Sequence, residues 1–203
     1  MKREDIVLLA VFLAMIAAVV GLAFTLYSTK GGISGYATGT SIGSANLTVE
    51  SAVEINFTNA TINWGSGRVN TGKTYAILDS EGTVFQGNWT NQYAGLALEN
   101  IGNINVTINL KTSKNAASFI GGTNPSYLWK ITNLEPGSCN ATSNATYGWN
   151  TYANVSTTNI MYCSPLQYLD DKDIIEIDVN LTIPYNSFTG VLSDIVTATA
   201  TAL

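Results

Sequence analysis

The strongest constraint on this chain is a run of 22 uncharged, mostly apolar residues at positions 6–27. As a helix rising about 1.5 Å per residue the run is roughly 33 Å long, enough to cross a hydrocarbon core of about 30 Å. Every alternating segment, both cysteines and every glycosylation acceptor lie on its C-terminal side. A cleaved secretory signal has a shorter apolar stretch, about 7 to 15 residues, followed closely by a small-x-small site. Here the best such site, Gly35-Tyr36-Ala37, falls well beyond Tyr27. The expectation is therefore a retained anchor, residues 6–27, behind a short cytoplasmic tip, residues 1–5. Charge alone does not orient it, because Lys2 and Arg3 are offset by Glu4 and Asp5, and Lys30 follows the span.

The chemistry downstream does orient it. Asn-x-Ser/Thr acceptors occur at Asn46, Asn56, Asn59, Asn88, Asn105, Asn140, Asn144, Asn154 and Asn180. Random placement of 21 Asn among 41 Ser and Thr in 203 residues would give about 4 such sites, so the set is enriched roughly twofold. A polar Asn/Thr surface that makes acceptors by composition alone is the competing explanation. Cys139 and Cys163 enclose 23 residues rich in Asn, Thr and Tyr. An even pair in an exported domain reads as one disulfide; the alternative is two buried thiols.

Only 11% of the residues are charged, with 14 acids against 9 bases. A net charge of −5 leaves no basic footprint for nucleic acid. Residues 28–44 are rich in Gly, Ser and Thr and read as a flexible stalk. The remaining residues, 45–203, are enough for one domain with a sizeable core.

Within that domain the apolar period is two. Leu47, Val49, Val53, Ile55 and Phe57 alternate with Asn46, Thr48, Glu50, Glu54 and Asn56. Ile104, Val106, Ile108 and Leu110 do the same, as do Ile175, Ile177, Val179, Leu181 and Ile183, and residues 196–202 alternate Thr with small apolar side chains. Each reads as a half-buried strand with one wet face. Shorter strands are expected at 62–64, 75–78, 96–99 and 127–131, separated by Gly-, Asn- and Ser-rich turns. One-sided burial is the mark of antiparallel sheets. No amphipathic helix of ten or more residues follows the anchor, so the expected fold is all-β, an antiparallel Ig-like two-sheet sandwich. The acceptors Asn46, Asn56, Asn105 and Asn180 fall on the polar parity of their strands, so a sugar there would point to solvent.

Catalytic signals are few. Gly67-Arg68-Val69-Asn70-Thr71-Gly72-Lys73-Thr74 fits the phosphate-loop pattern, which requires a helix after the Lys-Thr pair. Tyr75-Ala76-Ile77-Leu78 and the Ser80-Glu81-Gly82 turn leave no room for one, so nucleotide binding is not expected. The chain has no histidine, which removes the usual imidazole base and the commonest zinc ligand. Asp170, Asp171 and Asp173, followed by Glu176 and Asp178, are the calcium candidates; the competing reading is a solvated loop entering an alternating strand. Trp64, Trp89, Trp129 and Trp149 read first as packing residues and second as sugar-stacking platforms.

The stretch Gly95-Leu96-Ala97-Leu98-Glu99-Asn100-Ile101-Gly102-Asn103-Ile104-Asn105-Val106-Thr107-Ile108 resembles the strand, Asn-x-Gly-Asn turn and strand of exported prokaryotic β-sandwich proteins. The ending, from Ile183-Pro184 through Gly190 to Asp194-Ile195-Val196-Thr197-Ala198, resembles their last hairpin. Similar layouts occur in camelysin-like biofilm fibre subunits and archaeal surface sandwiches, and one apolar helix before a β head is similar to the plan of archaeal pilins. Camelysin-like proteins generally carry a cleaved signal, and pilins are usually cut after a small residue where this chain has Glu4 and Asp5. The resemblance implies an envelope location and no catalytic residue.

The sequence thus points to a non-enzymatic, membrane-anchored, glycosylated protein with its β domain outside the cell and a structural or adhesive role. The alternative is a subunit of an extracellular filament. Expected partners are membrane lipid around residues 6–27 and other envelope proteins or further copies of the chain, with neither nucleic acid nor nucleotide. No cofactor is expected other than the calcium candidate.

Overall fold

Backbone pairing follows the period-two segments closely. The computed structural model describes residues 13–20, 44–139 and 148–203. Ten strands run in the order β1 (Asn56–Asn59), β2 (Tyr75–Asp79), β3 (Val84–Phe85), β4 (Leu96–Glu99), β5 (Val106–Thr112), β6 (Ser126–Asn133), β7 (Ala153–Asn154), β8 (Ile160–Leu166), β9 (Ile174–Pro184) and β10 (Val196–Ala202). A four-residue helix, α1 (Ala116–Phe119), is capped by Asn115, whose side chain accepts from the Ser118 N–H. Residues 13–20 are helical. No helix among the described residues is long and apolar enough to cross a membrane; most of the expected span, 6–27, and nearly all of the expected stalk lie outside them. Val49–Leu203 forms one compact unit, separate from the residues before it.

The protein is all-β, with two antiparallel sheets. The larger is organised on β9, eleven residues long. One edge of β9 is covered by β6, with β7 beyond it. The other edge is shared: β4 pairs with Ile174–Ile177 and β2 with Asn180–Pro184, with β1 and β3 outside them. The smaller sheet has the order β10-β5-β8. Alternation puts Val106, Ile108 and Leu110 of β5 inward to meet Leu98, Trp129, Ile131, Ile175 and Ile177 from the larger sheet. Trp129 and Tyr162 stack edge to face at 5.0 Å in this common core. A second cluster, Leu78, Ile120, Tyr127, Val179 and Leu181, is covered by Phe119 and Ala116 of α1.

Two expectations need correction. The alternation from residue 45 to 57 yields a strand only at β1, and Leu47 and Val49 are 86% and 75% exposed. Residues 50–52 bond instead to the turn before β5: Asn103 donates through Nδ2 to the Glu50 carbonyl, and Ala52 N–H donates to Asn103 Oδ1. Period two reports which face is apolar, but a strand also needs a neighbour. The segment 62–64 is likewise not a strand. β8, by contrast, was not among the expected strands; it arises from Ile-Met-Tyr-Cys-Ser-Pro-Leu, with Pro165 inside it. Proline lacks the N–H of a ladder and is accommodated because β8 is an edge strand.

The shared edge of β9 positions the polar site. Between β4 and β2 the ladder is completed by one residue. Ser80 N–H donates to the Val179 carbonyl, and the Val179 N–H donates to Ser80 Oγ, both at 3.0 Å. On the β4 side, Gly95 passes so close that a Cβ would lie 2.6 Å from the Ile177 carbonyl oxygen, so no other residue fits there without movement.

Candidate functional site

Cys139 and Cys163 are bonded, with Cα atoms 5.7 Å apart. Cys163 lies on β8 opposite Ile108, and Cys139 lies just after β6, held by its N–H to Asn133 Oδ1. The bond therefore ties the smaller sheet to the loop leaving the larger one.

Of the nine acceptors, Asn46, Asn56, Asn88 and Asn154 are exposed, and Asn59, Asn105 and Asn180 are half-buried. Asn140 and Asn144 lie outside the described residues. None of the seven described acceptors is buried. Asn59 is the least suited, because its Nδ2 donates to the Gly95 carbonyl at 2.5 Å and a sugar would have to share that nitrogen. Asn154 and Asn180 both stand opposite Leu128, on one row across the outer face of the larger sheet.

The acidic residues separate into two environments. Asp170 and Asp171 are exposed, whereas Asp173 is 4% exposed. Among the described residues no group of three or more His, Cys, Asp or Glu is arranged to hold a metal ion, so the three calcium candidates do not converge as ligands. Asp173 faces carboxylates brought from elsewhere. Its N–H donates to Glu135 Oε2 at 3.0 Å, and its buried Oδ1 has no hydrogen-bond partner. Burial, then the charges of Glu135, Glu99 and Asp170, push its pKa up to about 6.

The second environment overturns the expectation that Asp178 lies on a wet face. Its parity is outward, yet it is 3% exposed, because Lys130 of β6 and Ser80 at the end of β2 close over it. Ser80 Oγ donates to Asp178 Oδ1 at 2.7 Å. Lys130 Nζ lies 2.6 Å from Glu81 Oε1 and 3.4 Å from Asp178 Oδ2. The Tyr152 hydroxyl donates to Glu81 Oε2 at 2.8 Å, and its ring centroid lies 5.2 Å from the ammonium. Burial works against the charge on Lys130, but the Glu81 hydrogen bond and the two carboxylate charges outweigh it and raise the pKa. The Lys130 hydrogen bond in turn lowers the Glu81 pKa against burial. Burial and the bond to Glu81 hold Tyr152 firmly as the phenol.

Ser80, Glu81, Lys130 and Tyr152 were not legible as a site. The one available signal was a lysine on the polar parity of a strand otherwise lacking charge. The phosphate-loop pattern leads directly into β2, a strand where that chemistry needs a helix. Trp129 and Trp149 are buried, and Trp64 and Trp89 half-buried. Comparison with known protein families, with characterised proteins and with solved structures returns no match for this chain.

Proposed function

We propose that the chain is a membrane-anchored, glycosylated cell-surface protein whose Ig-like β-sandwich faces outward on a Gly/Ser/Thr-rich stalk and serves a structural or adhesive role rather than an enzymatic one. The observation that carries this reading is the uncharged run at 6–27 followed by a head in which seven described acceptors all escape burial. The disulfide agrees with an oxidising compartment. The partners on this reading are lipid around the span and other envelope proteins. Mass spectrometry of the native protein before and after chemical deglycosylation tests it. The expected result is an intact N-terminus and a substantial loss of mass; an unmodified chain lacking residues 6–27 contradicts it.

A second reading, a filament subunit, draws on β10. This strand pairs with β5 over seven residues without a register break and has no neighbour on its other side among the described residues. It has no proline, charge or bulge to discourage pairing. Strand addition from another copy would extend the smaller sheet. Negative-stain microscopy separates the readings, single detergent-bound particles favouring the anchor and detergent-free fibres the filament.

A further inference from the structure

The cluster over Asp178 holds, in one place, the parts needed to join an amine to a carboxyl group. Lys130 supplies a nitrogen directly across the ladder from Asp178, 3.4 Å from the nearer carboxylate oxygen. That oxygen is bonded to Cγ, the carbon the nitrogen would attack, so the pairing holds the two groups side by side. Glu81 Oε1, 2.6 Å from that nitrogen, is placed to take its protons, and the Tyr152 hydroxyl holds the other Glu81 oxygen. Ser80 Oγ–H points at Asp178 Oδ1, where negative charge would gather as the nitrogen adds to the carboxyl carbon. The Lys130 and Asp178 side chains are only 15% and 5% exposed, while Glu81 at 46% opens the cluster to solvent and gives a released water a way out.

We propose that Lys130 and Asp178 condense to an intramolecular amide that welds β6 to β9. Beginning from the ion pair, the Lys130 ammonium, held by Glu81 Oε1, gives a proton to Asp178 Oδ2. The free amine then adds to Cγ of Asp178, forming the N–C bond, and Ser80 steadies the resulting oxyanion on Oδ1. Glu81 takes a second proton from the nitrogen and releases it to solvent, Oδ2 takes one up from solvent, the Cγ–Oδ2 bond breaks and water leaves. The ammonium began with three protons; the amide keeps one, and the departing water carries the equivalent of the other two. Positive and negative charge cancel, Glu81 is regenerated, and no oxidant or further reactant enters. This inference does not depend on the cellular location of the head. A covalent strand-to-strand link would resist pulling on it.

The test uses the full chain, made in a host without N-glycosylation, purified in detergent and reduced, with the folded fraction selected by circular dichroism and protease resistance. The expected mass lies about 18 Da below that of the sequence, the loss of one water, and digestion gives one branched peptide joining the segments of Lys130 and Asp178. Glu81→Gln and Lys130→Arg should both restore the sequence mass, Glu81→Gln serving as the readout if Lys130→Arg fails to fold. Tyr152→Phe should slow the loss of water in freshly refolded chain without changing the final mass, and an unchanged rate would remove Tyr152 from the mechanism. Folded parent protein at the full sequence mass would overturn the proposal and leave a plain ion pair. A deficit that survived in Lys130→Arg would overturn it too, by placing the lost water elsewhere.

Discussion

Asp173, the residue before β9, and Asp178, in the middle of it, are both almost fully buried, yet their surroundings are opposite. Asp178 has a cation and a hydroxyl within reach; Asp173 has Glu135 and Glu99 and an oxygen without a partner. A buried carboxylate is tolerated when paired, and otherwise takes up a proton. The two carboxyl groups are therefore accommodated in opposite ways, Asp178 by a charged partner and Asp173 by loss of its charge.

Removing the cation should produce the largest effect. Lys130→Met leaves Asp178 buried and unpaired and is expected to cost about 3–5 kcal/mol in urea denaturation. A loss below about 1 kcal/mol would mean that water or rearrangement compensates Asp178, and the contrast would weaken. Reducing the Cys139–Cys163 bond should cost about 3 kcal/mol. It should act unevenly, because Cys139 lies in the loop that carries Glu135. Hydrogen exchange should therefore rise first around Asp173 and last around Asp178.

The pH dependence has opposite signs at the two sites. Asp173 has a raised pKa, so the folded state binds its proton more tightly than the unfolded chain. Its contribution is full below the ordinary 3.8 and is lost as pH rises through about 6. That amounts to about 3 kcal/mol. Asp173→Asn should remove this slope from denaturation curves measured between those limits, and should be at least as stable as the parent at neutral pH. An unchanged slope would mean that Asp173 is not the titrating group. The smallest effect is expected at Glu81, whose pKa is lowered by Lys130. Its contribution is present above its ordinary 4.5 and is lost as pH falls through the lowered value. In chain still at the full sequence mass, with the ion pair intact, Glu81→Gln should flatten the acid limb of the stability profile only.

Much of the framework was legible because alternation carries it. The expected strands at 175–183 and 196–202 correspond to β9 and β10, and 104–110 overlaps β5 with a shift of two residues at each end. The disulfide was readable from an even cysteine count. Other features depend on neighbours that no local pattern reveals. Residues 45–55 alternate as well as any strand, yet the bonds of Glu50 and Ala52 go to the Asn103 turn. Asp178 has the parity of a wet face, but β9 is central and Ser80 falls in the gap between β2 and β4. The acidic stretch read as one calcium candidate is divided by burial: Asp170 and Asp171 stay in water, and Asp173 turns toward Glu135, 38 residues away in sequence. Sequence-local acidity could not tell these fates apart.

The location of the head is the central functional claim, and protease treatment of intact cells tests it most directly. Brief digestion should release a disulfide-linked fragment close to Val49–Leu203 while a cytoplasmic control protein stays whole. A head that survives on intact cells and is cut only after lysis would contradict the account.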